Sequence, residues 1–166
     1  MPPEPEQGFV RLDPVPMTDK AALKAFLDPY LIAHADLADP DRAFGDPTAY
    51  EYFDLYWIEP ERRPYWVITD GQPAGFVLVN EWSPSGRGTQ RSIAEFYVRP
   101  ELRRRGLGLA AALAAFATHA GLWELQVYRA NPAGMAFWLR AIEAAGARDW
   151  EALEHEDRVV HRFRVG

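Results

Sequence analysis

An apolar stretch, Ile93 to Val98, runs through Pro100 into Arg103-Arg104-Arg105-Gly106-Leu107-Gly108 and on into an alanine-rich segment that reaches about His119. Few arrangements accommodate such a run. Its β-branched and aromatic residues favour a strand, broken in polarity only by Glu95. Pro100 closes that strand. Ala110, Ala111, Ala112, Ala114, Ala115 and Ala117 then favour a helix slim enough to pack close to a sheet. The spacing predicts that helix from Leu102 or Arg103 to His119, with Leu109, Leu113 and Phe116 on its apolar stripe. The turn between strand and helix gathers backbone N–H groups, the positive end of a helix and three guanidiniums, which suits a diphosphate or similar anion. Gly106 and Gly108 let a ligand approach the backbone. A helix start with a solvated basic patch is the alternative, but arginines there oppose the helix dipole and call for an anionic partner.

The 166 residues suffice for one domain with its own core, and a hydrophobic fraction of 48% is ordinary for a globular protein. Met1 to Gly8, proline-rich and acidic, is expected to be a flexible N-terminus, with 9–166 a single domain. A net charge of −6 argues against a nucleic-acid binder, against which the local arginine cluster stands out. Cysteine is absent, so disulfides and thiolate chemistry are excluded. The four histidines fall in no metal motif, and no metal is expected. No apolar run has membrane-spanning length and no basic-then-apolar leader is visible, so the expected setting is cytoplasmic, away from membranes.

Taken in order, Phe9 to Leu12 suits a short strand. Thr18 or Asp19 caps a helix through Leu23, Phe26, Tyr30 and Leu31, which Pro29 is expected to kink or end. Asp36 to Asp46 reads as acidic turn, and Pro47 to Ile58 as a second helix. Tyr65–Thr69 and Ala74–Glu81 form a hairpin about Asp70-Gly71. Ser83 to Gln90 is a loop with room to move. Trp123 to Tyr128 is a strand. Asn131-Pro132 opens a helix that Gly146 closes. Asp149–His155 and Arg158–Val165 form a last hairpin about Glu156-Asp157. This order fits one α/β domain with a mixed sheet.

The segment Val98-Arg99-Pro100-Glu101-Leu102-Arg103-Arg104-Arg105-Gly106-Leu107-Gly108-Leu109 resembles the pyrophosphate loop of the GNAT-type N-acetyltransferases, matching their pattern at Arg103, Gly106 and Gly108. A second stretch, Tyr128 to Trp138, resembles the family's following strand end and Asn-opened helix. The Phe137-Trp138 pair and Ala130 to Ala133 are closest to acetyltransferase-like proteins of unknown substrate. The resemblance implies an α/β (α+β) fold with a mixed, mostly antiparallel central sheet, splayed central strands and flanking helices. It implies acetyl-CoA as cosubstrate and a small-molecule or peptide amine as acceptor. Phe96, Tyr97 and Val98 would line the pantetheine path, Phe96 and Val98 through their backbone. Arg103, Arg104, Arg105, Gly106, Leu107, Gly108 and Leu109 would hold the diphosphate. Asn131 is either a ligand contact or simply a helix cap. Many members carry a tyrosine near the cofactor sulfur as general acid. Trp138 occupies that position here, and an indole N–H is no comparable acid, so the leaving thiolate is protonated by water, by another residue or not at all; Tyr128 is either a substitute acid or an ordinary strand aromatic. A homodimer is also expected from the family.

Direct attack on a thioester requires a neutral amine, whereas free amines are mostly protonated near pH 7. Glu95, the single charge in the apolar strand, matches the position of a catalytic glutamate in several members. It is either the base or a structural carboxylate. Glu81 is a weaker second candidate. Asp28, Asp36, Asp39, Asp41, Asp46 and Asp54 would attract a cationic amine or merely solvate the surface. Tyr50, Tyr52, Phe53, Tyr56, Trp57 and Trp82 would line an acceptor pocket or belong to the core. A non-catalytic acyl-CoA-binding module is the alternative to an enzyme. Blocking the backbone at the bend should expose the anion site: Gly106→Val is expected to weaken acetyl-CoA binding, and calorimetry with wild-type affinity would remove the assignment.

Overall fold

The computed structural model describes residues 9–38 and 46–166. The segment expected to be a flexible N-terminus lies outside them, as do Asp39 and Asp41. Among the described residues, ten regular elements follow in chain order: β1 (Val10–Pro14), α1 (Lys20–Ala38), β2 (Arg63–Thr69), β3 (Gln72–Asn80), β4 (Arg91–Val98), α2 (Leu107–Phe116), β5 (Gly121–Tyr128), α3 (Pro132–Ala144), β6 (Arg148–Glu154) and β7 (Arg158–Val165). The strands form one sheet in the order β1-β2-β3-β4-β5-β7-β6. Only the β4–β5 pair is parallel. The expected mixed, mostly antiparallel α/β architecture is therefore the observed one. Among the described residues no helix is long and apolar enough to cross a membrane.

Turn chemistry sets the hairpins where the sequence marks them. Asp70 and Gly71 both have positive φ, 51° and 72°, as the tight two-residue turn between β2 and β3 requires. The two faces of the sheet bury separate cores. Leu107, Ala111, Ala112, Ala115 and Phe116 of α2 and Trp138, Ala141 and Ile142 of α3 pack with Val77, Val79, Ile93, Val98, Trp123 and Phe163. On the other face Leu23, Leu27 and Tyr30 of α1 join Phe53, Tyr56, Trp66, Phe76 and Leu78.

Three local expectations give way to packing. Pro29 lies inside α1 without ending it, because Leu23, Leu27 and Tyr30 bury one continuous stripe on both sides of the proline. That burial outweighs the roughly 3 kcal/mol cost of an interior proline. The helix also absorbs Asp36, expected in a turn. The second helix is replaced by turns and a short 3-10 segment, Asp54–Trp57. Phe53 and Tyr56, three apart, turn inward there, and the Trp57 indole donates to the Val15 carbonyl at 3.0 Å. The helix predicted from Leu102 or Arg103 begins only at Leu107, after a 3-10 segment Pro100–Arg105, and stops at Phe116.

The loop 83–90 is tied down rather than loose. Glu124 on β5 is fully buried and accepts from Ser83 Oγ (3.0 Å), Ser85 N (2.9 Å) and Ser85 Oγ (2.8 Å), and Arg162 of β7 completes the set. Arg162 also donates to the Gly88 carbonyl. A buried carboxylate is tolerable only with such a full complement of donors.

Backbone proximity is closest where β3 passes the end of β4. A Cβ on Gly75 would lie 1.9 Å from the Tyr97 carbonyl oxygen. Gly75→Ala should therefore lower unfolding free energy by about 3 kcal/mol, the upper end of overpacking costs, as read by urea denaturation.

Candidate active site

The β4–β5 pairing holds for three residue pairs, Arg91↔Trp123, Ser92↔Glu124 and Ile93↔Leu125, and then stops. Both strands continue, β4 to Val98 and β5 to Tyr128. They part into a gap that β4 borders for five residues and β5 for three beyond the last pair. Antiparallel bonding alternates, and Arg99 N donates to the Ala74 carbonyl at 2.8 Å. The register Gly75↔Val98 and Val77↔Phe96 therefore turns the backbone groups of Phe96 and Val98 away from β3 and into the gap. Arg103 Nε donates to the Val98 carbonyl at 2.8 Å. The Val98 N–H is left facing the opening, where no β5 residue pairs with it.

At the end of this gap the chain bends through Gly106, whose φ is +74°. Gly106 stands at the N-cap of α2 with no side-chain hydrogen bond to the helix. The first N–H groups of α2 are thus available to an anion. This differs from the sequence expectation in one respect. The arginines lie in the 3-10 segment that precedes the helix instead of in its first turn. A Cβ on Gly106 would meet no protein atom within 4 Å, so the bend is open on that side, and its positive φ strains any side chain placed there. A Cβ on Gly108 would make an ordinary contact with the Phe137 ring, at 3.4 Å. Leu107 is buried in the core and Leu109 is packed against it. Arg103 arches back over the Tyr97 ring, 5.5 Å from its centroid. The side chains of Arg104 and Arg105 lie outside the described residues.

Glu95 owes its direction to a bulge. Strict alternation would set Ile93, Glu95 and Tyr97 on one face. The register instead runs Val79↔Ile93 and then Leu78↔Glu95, so Ala94 is the extra residue. Ile93 faces α2 and α3, whereas Ala94 and Tyr97 pack on the α1 side. Glu95 shares that side: Tyr30 Oη of α1 donates to its Oε2 at 2.5 Å. Burial raises the Glu95 carboxyl from 4.5 to about 7, and the Tyr30 bond works in the opposite direction. Burial, and then the charge of Glu95, push the Tyr30 and Tyr50 phenols up. Burial raises Tyr56 as well, and Glu95 adds to it. A carboxyl group that titrates near neutrality, beside a gap in the sheet, is equipped to accept a proton.

The remaining sequence candidates are placed as follows. Asn131 caps α3, its Oδ1 accepting from Gly134 N at 2.9 Å. Trp138 is buried in the core against Phe96 and Phe116. Tyr128 is partly buried at the end of β5. Glu81 pairs with Arg91 at 3.1 Å. Asp28 and Asp54 pair with Lys24 and Lys20. Phe53 and Tyr56 belong to the core, while Tyr52 and Trp82 are exposed. Sequence reading missed Tyr30, Tyr50 and Tyr56 as neighbours of Glu95, and no spacing or motif signals them. Among the described residues no group of His, Asp and Glu is arranged to hold a metal ion.

The chain matches the model of the acetyltransferase (GNAT) family over residues 30–142. No curated protein sequence matches it. Among solved structures it is similar to an acetyltransferase from Thermus thermophilus, at 20% identity and TM-score 0.65, over 94% of this chain and 97% of that one. It is also similar to a Bacillus subtilis acetyltransferase in complex with CoA, at 16% identity and TM-score 0.59, over 95% of this chain and 100% of that one. A third likeness is to the ribosomal-protein-S18-alanine N-acetyltransferase from Escherichia coli, at 15% identity and TM-score 0.60, over 95% of each chain. At these identities the likeness is one of fold.

The raised Glu95 carboxyl carries a stability consequence. Between about pH 4.5 and 7 the folded chain keeps a proton that the unfolded chain has released, so this contribution is lost as pH rises through about 7. Glutamine has no such titration. Scanning calorimetry of Glu95→Gln against wild type should show the variant gaining in Tm between pH 5 and pH 8; a constant difference would show that Glu95 titrates normally.

Proposed function

Because the chain belongs to the acetyltransferase (GNAT) family, we propose that it transfers an acetyl group from acetyl-CoA to a primary amine, with Glu95 as general base. The observation that best supports this is the gap between β4 and β5, with an uncapped helix start at one end and a carboxyl titrating near pH 7 beside it. Bound acetyl-CoA would supply the activated acyl carbon. The N–H groups of Leu107, Gly108 and Leu109 and the bend at Gly106 hold the diphosphate, with the arginines beside them. The Val98 N–H hydrogen-bonds the thioester oxygen.

Glu95, as carboxylate, takes a proton from the acceptor nitrogen. That nitrogen forms its bond to the acyl carbon as the carbon–sulfur bond breaks, and the electron pair leaves on sulfur. Tyr128 protonates the departing thiolate from its position across the gap. Because Glu95 acts only when deprotonated, turnover rises with pH through about 7.

Glu95→Gln should lower kcat by about 100-fold or more, remove that acid limb and leave acetyl-CoA affinity nearly unchanged. The measurement is thiol release across an amine panel and a pH series, with calorimetry for the cosubstrate. Unchanged kcat in Glu95→Gln would remove Glu95 from the mechanism. Acetyl-CoA binding without turnover on any amine would make the chain a non-catalytic acyl-CoA-binding module.

A further inference from the structure

Among the described residues, the carboxylate of Glu95 is hydrogen-bonded to a phenol and not to a cation. The groups around the Tyr30–Glu95 pair, in direct contact with it or one contact removed, come from four segments. α1 supplies Tyr30 and His34, and the turns before β2 supply Tyr50, Tyr56 and Arg62. β4 itself supplies Tyr97, and the segment after it supplies Arg103. Of these, only Tyr30 reaches the carboxylate with a hydrogen bond. Its ring is clamped: it packs on His34 at 4.0 Å between centroids and edge-on against Phe76 at 5.5 Å and Tyr97 at 6.0 Å. The hydroxyl therefore has little freedom to leave Oε2.

We propose that Tyr30 is the positioning residue for Glu95: its hydroxyl fixes Oε2, so that Oε1 is the oxygen presented to the acceptor amine. This rests on the reading of Glu95 as base. The transferred proton passes from the amine nitrogen to Oε1. Tyr30 keeps its own proton throughout, because its phenol is held well above the ordinary range. A donor on one oxygen favours the charged carboxylate and lowers the pH at which the base becomes available. Burial alone would push that pH higher still. Tyr30 thus sets the working pH as well as the geometry. The Phe96 backbone amide beside the same hydroxyl links this pair to the strand that borders the gap.

Tyr30→Phe keeps the clamped ring and removes only the donor. Two readouts are measured on the full chain. One is the titration of Glu95, followed by carboxyl 13C NMR on glutamate-labelled protein and assigned with Glu95→Gln. The other is the pH profile of kcat with an amine that supports turnover. In Tyr30→Phe the Glu95 titration should move up by about one to two pH units, the worth of a hydrogen bond to a charged group. The acid limb of kcat should move with it, and acetyl-CoA KM should not. A Glu95 titration at its wild-type position overturns the proposal. A titration that moves while the rate profile does not overturns instead the reading of Glu95 as base. Should Tyr30→Phe fail to fold, 3-fluorotyrosine at position 30 gives the opposite sign. Its more acidic hydroxyl is a stronger donor and should move the Glu95 titration down; no movement overturns the proposal.

Discussion

Everything that makes this chain more than a scaffold follows from two strands that stop bonding. A parallel pair normally continues for as long as both strands do, since each unpaired backbone group forfeits a hydrogen bond. Here β4 and β5 each run on for at least three residues after Leu125 meets Ile93. Their outer edges are held elsewhere, β4 by β3 and β5 by β7 along its whole length. The strands are therefore free to part without loosening the sheet. The opening exposes backbone donors and acceptors inside the molecule, where a ligand with matching groups can replace the missing strand.

The two sides of the gap are stiffened by different chemistry. On the β4 side, Arg103 reaches back to the Val98 carbonyl and Gly75 lets β3 approach without a side chain between them. On the β5 side, the buried Glu124 gathers two serines, a backbone N–H and Arg162, binding the loop that leads into β4 to the strands beyond the gap. This carboxylate and Glu95 sit on adjacent strands and have opposite environments. Glu124 has a cation and several donors. Glu95 has one phenol and a wall of aromatic rings, and its proton affinity rises for that reason. The same residue type is a clamp in one place and, in the proposed reaction, a proton acceptor in the other.

The bulge at Ala94 joins the gap to this electrostatics. It inverts the facing of β4 within one residue, so that Ile93 stays with α2 and α3 while Glu95 and Tyr97 turn toward α1. Phe96 then packs on Phe137 and Trp138 on the opposite side. The bulge thus sets Glu95 and Tyr97 on the α1 face, while Ile93, Phe96 and Val98 keep to the face of α2 and α3.

Local backbone constraints were readable along the chain alone. The turn at Asp70-Gly71, the cap at Asn131 with Pro132 behind it, the stop at Gly146 and the final hairpin all depend on neighbouring residues, and they stand where the sequence marks them. The bend at Gly106 was legible for the same reason, since a positive φ there is a property of one residue. Tertiary structure decided what no local pattern encodes. α1 continues through Pro29 because its burial outweighs propensity, and the second helix dissolves because Phe53 and Tyr56 are drawn into the core. Tyr30 meets Glu95 across 65 positions of chain, and Ala94 is bulged by a register shared with β3. Those contacts are set by which surfaces must be removed from water together, a sum over the whole fold that no short window of sequence contains.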